Sequence, residues 1–387
     1  MTVVAAPEEL RPAHAEIITA TLPLVGANID AITQTFYRRL FDAHPALIRN
    51  LFNRGNQGQG AQQRALAASI ATFATHLVDP DLPHPAELLS RIGHKHASLG
   101  VTAEQYPIVH EHLFAAIVEV LGADTVTAEV AQAWDRVYWI MAQTLIDLER
   151  GLYAEAGVAD GDVYRRAQVS ARVDDPSGAV LVTVTGVDAD FGAGRYVSVG
   201  VTLPDGARQL RQYSLVNRGG TGELTFAVKP VGEVSEWIRD NLRVGDQLDV
   251  TLPFGDLPAP VPGVPLVLIS AGIGITPMIG ILETLDTDAA VQVLHADRSS
   301  RTHPLRDRQR ALLAELPDAT LDLWYEDGGD GAHPGLLSLD GIELPADAEV
   351  YLCGADGFVR AVRDQLLGRG VTRVHCELFS PNDWLLD

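Results

Sequence analysis

The period of the apolar residues changes twice along this chain, which rules out a fold of one class. From residue 7 to about residue 156 the period is helical. Leu66, Ile70, Phe73 and Leu77 recur at steps of four, three and four, and Val109, Leu113, Ala116, Ile117 and Val120 repeat the pattern. Trp134, Tyr138, Met141, Leu145, Leu148 and Leu152 carry one stripe over five turns. Prolines and glycines collect between these runs, at 54–60 and 79–85. An all-α segment of about six to eight helices is expected.

Past Asp160 the period falls to two. Val180, Val182 and Val184 alternate with Leu181, Thr183 and Thr185, and 224–228 and 248–252 behave alike, with glycine-rich turns between. Short strands so spaced favour a small antiparallel barrel. A proline-rich linker follows at 258–265. Beyond it, apolar runs at 265–270, 290–295, 321–325 and 350–353 alternate with helix-like stretches such as 277–285 and 305–316. That alternation implies a parallel sheet with crossover helices. The expected organisation is multidomain: all-α over 1–157, an antiparallel β-barrel over 158–262, and an α/β parallel-sheet domain over 263–387.

Composition narrows the partners. The 387 residues, 47% hydrophobic and 21% charged, can bury several cores at roughly 100–200 residues per domain. A net charge of −22 argues against nucleic acid and against anionic membranes, both of which attract positive patches. Two cysteines, Cys353 and Cys376, build neither a disulfide framework nor a thiolate metal cluster. The N-terminus lacks the basic-then-apolar pattern of a signal peptide, and no run approaches the ~20 apolar residues that span a bilayer. The expectation is a cytoplasmic monomer acting on small molecules, without nucleic-acid binding or membrane insertion.

Several motifs carry chemistry. Gly272-Ile273-Gly274-Ile275-Thr276-Pro277 closes a buried strand and opens a helix. Glycines there admit a pyrophosphate to the backbone, exposed N–H groups attract its charge, Thr276 can cap the helix and Pro277 suits its first position. Tyr351-Leu352-Cys353-Gly354 ends the last strand expected in the sheet, so Cys353 and Gly354 would face the same crevice. Read alone, Cys353 is more readily a buried structural cysteine.

Upstream, Arg211 offers a planar fork for phosphate, Tyr213 a flat face for an aromatic ring, and Ser214 a hydroxyl for a ring nitrogen. Gly232, Val234 and Ser235 supply amides and a hydroxyl at another helix start. In the helical segment His94, His96, His110 and His112 cluster, but residues two apart on a helix lie on different faces, which disfavours a shared zinc. One imidazole ligating a haem fits better.

In this order Arg-x-Tyr-Ser, Gly-x-Val-Ser, Gly-x-Gly-x-x-Pro and Cys-Gly resemble the ferredoxin–NADP reductase superfamily. The resemblance implies FAD held by Tyr196, Arg211, Gln212, Tyr213, Ser214, Gly232, Val234 and Ser235, with Glu377 and Phe379 closing over the flavin. It implies a nicotinamide nucleotide at 272–277, Cys353 and Gly354.

Preceding these, Phe36-Tyr37, Leu51-Phe52-Asn53, Gln62 to Leu66, Lys95-His96, Glu104-Gln105-Tyr106, Ala133-Trp134 and Glu149 resemble a globin. The whole chain is similar to flavohaemoglobins. The resemblance makes His96 the proximal ligand of haem b, with Phe52, Gln62, Leu66 and Val109 lining the haem pocket. Tyr37 becomes the distal tyrosine, and Tyr106 and Glu149 the partners of His96. A carboxylate on the imidazole N–H makes the ligand more basic, and a tyrosine hydroxyl can donate to developing negative charge on oxygen.

The implied activity is a nitric oxide dioxygenase that takes electrons from NAD(P)H through FAD and converts NO and O2 to nitrate. The alternative is a haem-based oxygen or redox sensor, or a binding protein with a built-in reductase. Two positions depart from the family's pattern, and the Gly232 segment is shorter than usual. Arg195 stands where glutamine is common, placing an arginine beside the flavin, and Ile275 replaces another common glutamine. Arg298, Ser299 and Arg301 could meet a 2′-phosphate or form a solvated loop, so NADH and NADPH both stay open.

Overall fold

The computed structural model describes residues 10–50, 61–79, 81–82, 85, 87–285 and 290–379, the side chains of 48–50, 61–65, 67–68 and 87 excepted. The helical part holds α1 (Pro12–Ala43), α2 (Pro45–Asn50), α3 (Ala61–Val78), α4 (Ser90–Leu99), α5 (Tyr106–Leu121) and α6 (Ala128–Glu155). Local chemistry sets the ends. Pro12 opens α1, where a missing N–H costs nothing, and the Thr127 hydroxyl accepts from the Val130 N–H to cap α6.

The core seam of α1 is Ile18, Val25, Ile32, Phe36 and Leu40, spaced seven, seven, four and four, and it packs on α3, α5 and α6. This helix amends one expectation. It is long and apolar enough to cross a bilayer, with mean hydropathy 1.3 over its best window. Ile18, Val25, Ile32, Phe36 and Leu40 of this helix are nonetheless buried in the helical core.

A second unit begins at Tyr164. Its first sheet is antiparallel, in the order β4-β3-β6-β1-β2-β5. The strands are β1 (Tyr164–Asp174), β2 (Val180–Thr185), β3 (Tyr196–Thr202), β4 (Arg208–Ser214), β5 (Glu223–Val228) and β6 (Gln247–Thr251), with α7 (Glu233–Asn241) before β6. The alternation read along 180–185 is real, since Val180, Val182 and Val184 are buried and the residues between them are half-buried. Leu215, just past β4, bridges Phe226 on β5, and the Val216 N–H donates to Thr225 at 2.8 Å. The two ends of the sheet thereby curl together.

The second sheet is parallel, in the order β10-β9-β8-β7-β11-β12. It comprises β7 (Leu266–Ala271), β8 (Val291–Asp297), β9 (Ala319–Tyr325), β10 (His333–Pro334), β11 (Glu349–Gly354) and β12 (Val374–Leu378). The helices are α8 (Ile275–Leu282), α9 (Arg306–Ala314) and α10 (Asp356–Gly368). One sequence expectation is corrected here. β11 is not the last strand, because β12 pairs parallel beside it, with Cys353 opposite Glu377.

Barrel and parallel sheet fall in one compact unit, Tyr164–Leu203 with Arg211–Ser380. Ala193, Val216, Ala227 and Leu257 of the barrel share a core with Leu268, Met278 and Ile279. The proline-rich linker is pinned as well, since Pro258 accepts from the Tyr351 hydroxyl and the Val261 N–H donates to Glu349.

Candidate functional site

In the helical unit the structure brings His96, Tyr106 and Glu149 together from three helices. His96 lies on α4, Tyr106 opens α5 behind a turn in which the Thr102 N–H donates to Gln105, and Glu149 lies on α6. His96 Nδ1 is 2.8 Å from Glu149 Oε1, and the Tyr106 hydroxyl donates to the same oxygen at 2.5 Å. Glu149 is 1% exposed, and both donors act on the same buried carboxyl oxygen, Oε1. Burial, and then the neighbouring carboxylate, push the Tyr106 phenol well above its ordinary range and keep its proton in place.

With Nδ1–H given to Glu149, the tautomer leaves Nε2 with its lone pair, and the His96 side chain is a third exposed. A buried carboxylate behind a partly exposed imidazole is a donor set that fits a haem iron.

The other haem-pocket candidates are placed as follows. Tyr37 is buried on α1, its ring 4.8 Å from Phe36 and 5.5 Å from Phe41. Leu66 on α3 and Val109 on α5 are half-buried against the same core. Phe52 lies outside the described residues, as does the side chain of Gln62.

On the barrel, Arg211, Gln212, Tyr213 and Ser214 are consecutive on β4, with Tyr196 opening β3. Tyr213 stacks on Phe226 at 5.5 Å and 17°, and its hydroxyl is buried without a hydrogen-bond partner. An orphaned phenol is costly unless a ligand answers it, which fits a flavin on this strand. Burial raises the Tyr213 pKa, so the group stays a donor. Arg211 reaches Glu233 at 3.5 Å, and Gln212 donates to Ser198 at 3.0 Å.

Three expectations are refined in this region. The Ser235 hydroxyl accepts from the Val231 and Gly232 N–H groups and donates to the Gly232 carbonyl, so it closes its own turn. The N–H groups of Glu233, Val234 and Ser235 are those left over at the start of α7. Arg195 donates to the Leu257 carbonyl at 2.9 Å and ties the barrel to the linker.

The nucleotide crevice lies where strand order reverses, between β7 and β11. Gly272 has φ of 53°, a left-handed turn suited to glycine. A side chain at Gly274 would meet the Cys353 carbonyl at 2.5 Å, so the turn sits directly on β11. Gly272–Gly274 forms a 3-10 turn, which starts the helix earlier than expected. Thr276 is therefore inside α8 and donates to the Ile273 carbonyl rather than capping, and Pro277 is the third helical residue. Ile275 is fully buried in the core, so its side chain packs and does not face a ligand. Cys353 is likewise buried, as is Glu377 on β12, whereas Phe379 just past β12 is 48% exposed.

Sequence reasoning missed Lys229, just past β5, whose Nζ lies 3.6 Å from where a Gly272 side chain would begin. Asp297 was missed too, its carboxylate approaching the same point to 3.9 Å. Neither belongs to a motif, so only the folded chain brings them to the turn.

An imidazole backed by a buried carboxylate, joined in one chain to a flavin-type barrel and a parallel nucleotide sheet, defines a haem protein with its own reductase. Residues 34–145 match the globin family and residues 268–364 the oxidoreductase NAD-binding domain. The flavohemoprotein of Rhizobium meliloti (strain 1021) is 37% identical over 396 residues, covering 95% of this chain and 97% of the relative. That of Bacillus subtilis (strain 168) is 32% identical over 388 residues, covering 95% and 96%.

Among solved structures, flavohemoglobin from Malassezia yamatoensis, with bound FAD and heme, superposes with a TM-score of 0.88 at 33% identity, covering 96% of this chain and all of that one. The FAD/NAD-binding domain of a nitric oxide dioxygenase from Vibrio cholerae gives 0.53 at 32% identity, over 56% of this chain and 98% of that one. The chain belongs to the flavohemoprotein family, and its cofactors are haem, FAD and NAD(P)H.

Proposed function

We propose that this flavohemoprotein is a nitric oxide dioxygenase, oxidising NO with O2 to nitrate at the expense of NAD(P)H. The observation that carries the reading is the 2.8 Å contact from His96 Nδ1 to Glu149, a carboxylate 1% exposed. A globin that only stores oxygen gains nothing from an anion behind its imidazole. When bound, haem supplies a redox-active iron, FAD exchanges hydride for single electrons, and NAD(P)H is the hydride source.

The chain's own residues do the rest. Glu149 holds the His96 ring in one tautomer and makes Nε2 a stronger donor. Tyr106 donates to Glu149 at 2.5 Å and helps hold the carboxylate in place against His96. Tyr37 supplies the hydroxyl that donates to negative charge developing on O2, a preorganised donor needing no solvent rearrangement. Tyr213 and Arg211 orient the flavin, and the glycine turn at 272–274 receives the nucleotide. The Vibrio cholerae protein with a similar reductase half is named for this activity, which supports the reading.

The test is NO consumption by the complete holoprotein under NADH. Tyr37→Phe is expected to slow it roughly tenfold to a hundredfold while cytochrome c reduction continues unchanged. A wild-type protein that oxidises NADH rapidly yet consumes no NO refutes the proposal.

A further inference from the structure

Three helices of the globin part leave a gap where they meet. Thr21, Leu24 and Val25 of α1, Ile117 of α5, and Ala131 and Trp134 of α6 are among the residues around a cavity of about 20 Å³. The cavity lies beside Pro23, whose ring takes one rung out of the α1 hydrogen-bond ladder. No polar atom of the wall faces the space. The indole and the hydroxyl are turned on each other instead. Trp134 Nε1 donates to Thr21 Oγ1 at 3.0 Å, and that hydroxyl donates to the Ile17 carbonyl at 2.8 Å. Leu24 is 40% exposed, so the cavity has an edge at the surface. Val25, Ile117 and Trp134 are buried, in the same core as Tyr37.

We infer that this cavity is a docking site for an uncharged diatomic gas, NO or O2, separate from the haem pocket. Size and wall chemistry select the occupant. Water needs two to four polar partners, and the wall offers none. An acyl chain or a ring is too large, because a single water-sized sphere already takes about 10–15 Å³ of such space. A small apolar species remains. Apolar cavities stay dry and accept xenon, and an occupant restores contacts that the facing side chains forgo across the gap. The affinity is set by two atoms and is therefore millimolar or weaker, which suits rapid exchange. Naming NO and O2 rests on the proposed reaction, whereas uptake of a small apolar species rests on the wall alone.

The site is a reserve and not a reaction chamber. Val25 precedes Tyr37 by twelve residues on α1, about 18 Å along the helix at 1.5 Å per residue. Gas docked there is out of reach of the tyrosine hydroxyl, yet it is held within the same packed helices.

The experiment pressurises crystals of the full chain carrying haem and FAD with xenon, a probe that has no chemistry of its own. A xenon peak in contact with Val25, Ile117 and Trp134 is expected. Ala131→Val adds two carbons to the wall and should cut the occupancy at least about tenfold, since the filled space has no room left. Ile117→Val removes one carbon, enlarges the cavity and should raise the occupancy. In solution, flash photolysis of the NO-bound holoprotein should show a slow geminate phase that is lost under xenon and in Ala131→Val. A wild-type cavity that stays empty under xenon, an ordered water in its place, or equal occupancy in Ala131→Val overturns the inference. Xenon that binds there yet leaves the NO phase unchanged overturns the assignment to diatomic gas. A protein that takes up xenon here and consumes no NO overturns the proposed reaction alone.

Discussion

Glu149 shows how much of a site a single residue's surroundings decide. It follows Leu148 on an amphipathic helix, where spacing alone equally suits a solvated edge. In the fold it is 1% exposed and takes donors from His96, 53 positions earlier, and Tyr106, 43 earlier. No period links those positions; only the packing of α4 and α5 on α6 does. Glu149→Gln keeps the acceptor but removes the charge behind the imidazole. It should retain haem, shift the haem midpoint potential to more positive values, and slow NO turnover about tenfold. Potentiometric titration checks this, and an unmoved midpoint rejects the electronic role of Glu149. Tyr213 was legible as a flat ring on a flavin strand, whereas its orphaned hydroxyl was not. Arg195 likewise carries a contact that no motif announces, a hydrogen bond to the Leu257 carbonyl.

Among the elements, the strand–turn–helix around Gly272 was readable because glycine, threonine and proline punctuate the backbone strongly. Its register was not. The 3-10 turn moved the helix start, and Thr276 became a residue of the first turn instead of its cap. β12 went unread because its 374–378 segment mixes histidine, cysteine and glutamate. Its strand character comes from pairing with β11. The close seat of the turn on β11 has a measurable consequence. A methyl at Gly274 meets the backbone of Cys353 and Gly354, at 2.5 to 2.8 Å, and backbone cannot swing aside. Gly274→Ala should destabilise the reductase unit by roughly 1–3 kcal/mol, visible as a lower denaturant midpoint. A midpoint equal to wild type would show that the turn has room to spare.

At the level of the whole molecule, the helical unit and the flavin–nucleotide unit each carry their own core, and acid should separate them. Burial lowers His303 to about 3, and burial with its stacked neighbour lowers His295 well below the ordinary imidazole value. Both are neutral when folded and take up protons once unfolded. The stability they contribute is complete above about pH 6.5 and is lost as pH falls from there toward about 3. At pH 4.5 the loss from His303 is roughly 2–3 kcal/mol. Calorimetry should show the flavin–nucleotide transition shifting down across that window, with a shallower shift in His303→Gln. Parallel pH dependences in the two proteins reject the assignment.

Sequence alone determined the succession of helical, alternating and strand–helix segments, since apolar period reports which face of an element is buried. It also located the backbone-driven motifs, where glycine and proline act locally. Tertiary structure decided that barrel and parallel sheet share one core, that the Ser235 hydroxyl closes its own turn, that Ile275 is buried, and that Glu149 meets His96 and Tyr106. Charge, burial and orphaned acceptors depend on what packs nearby in space, and no local pattern of residues encodes that.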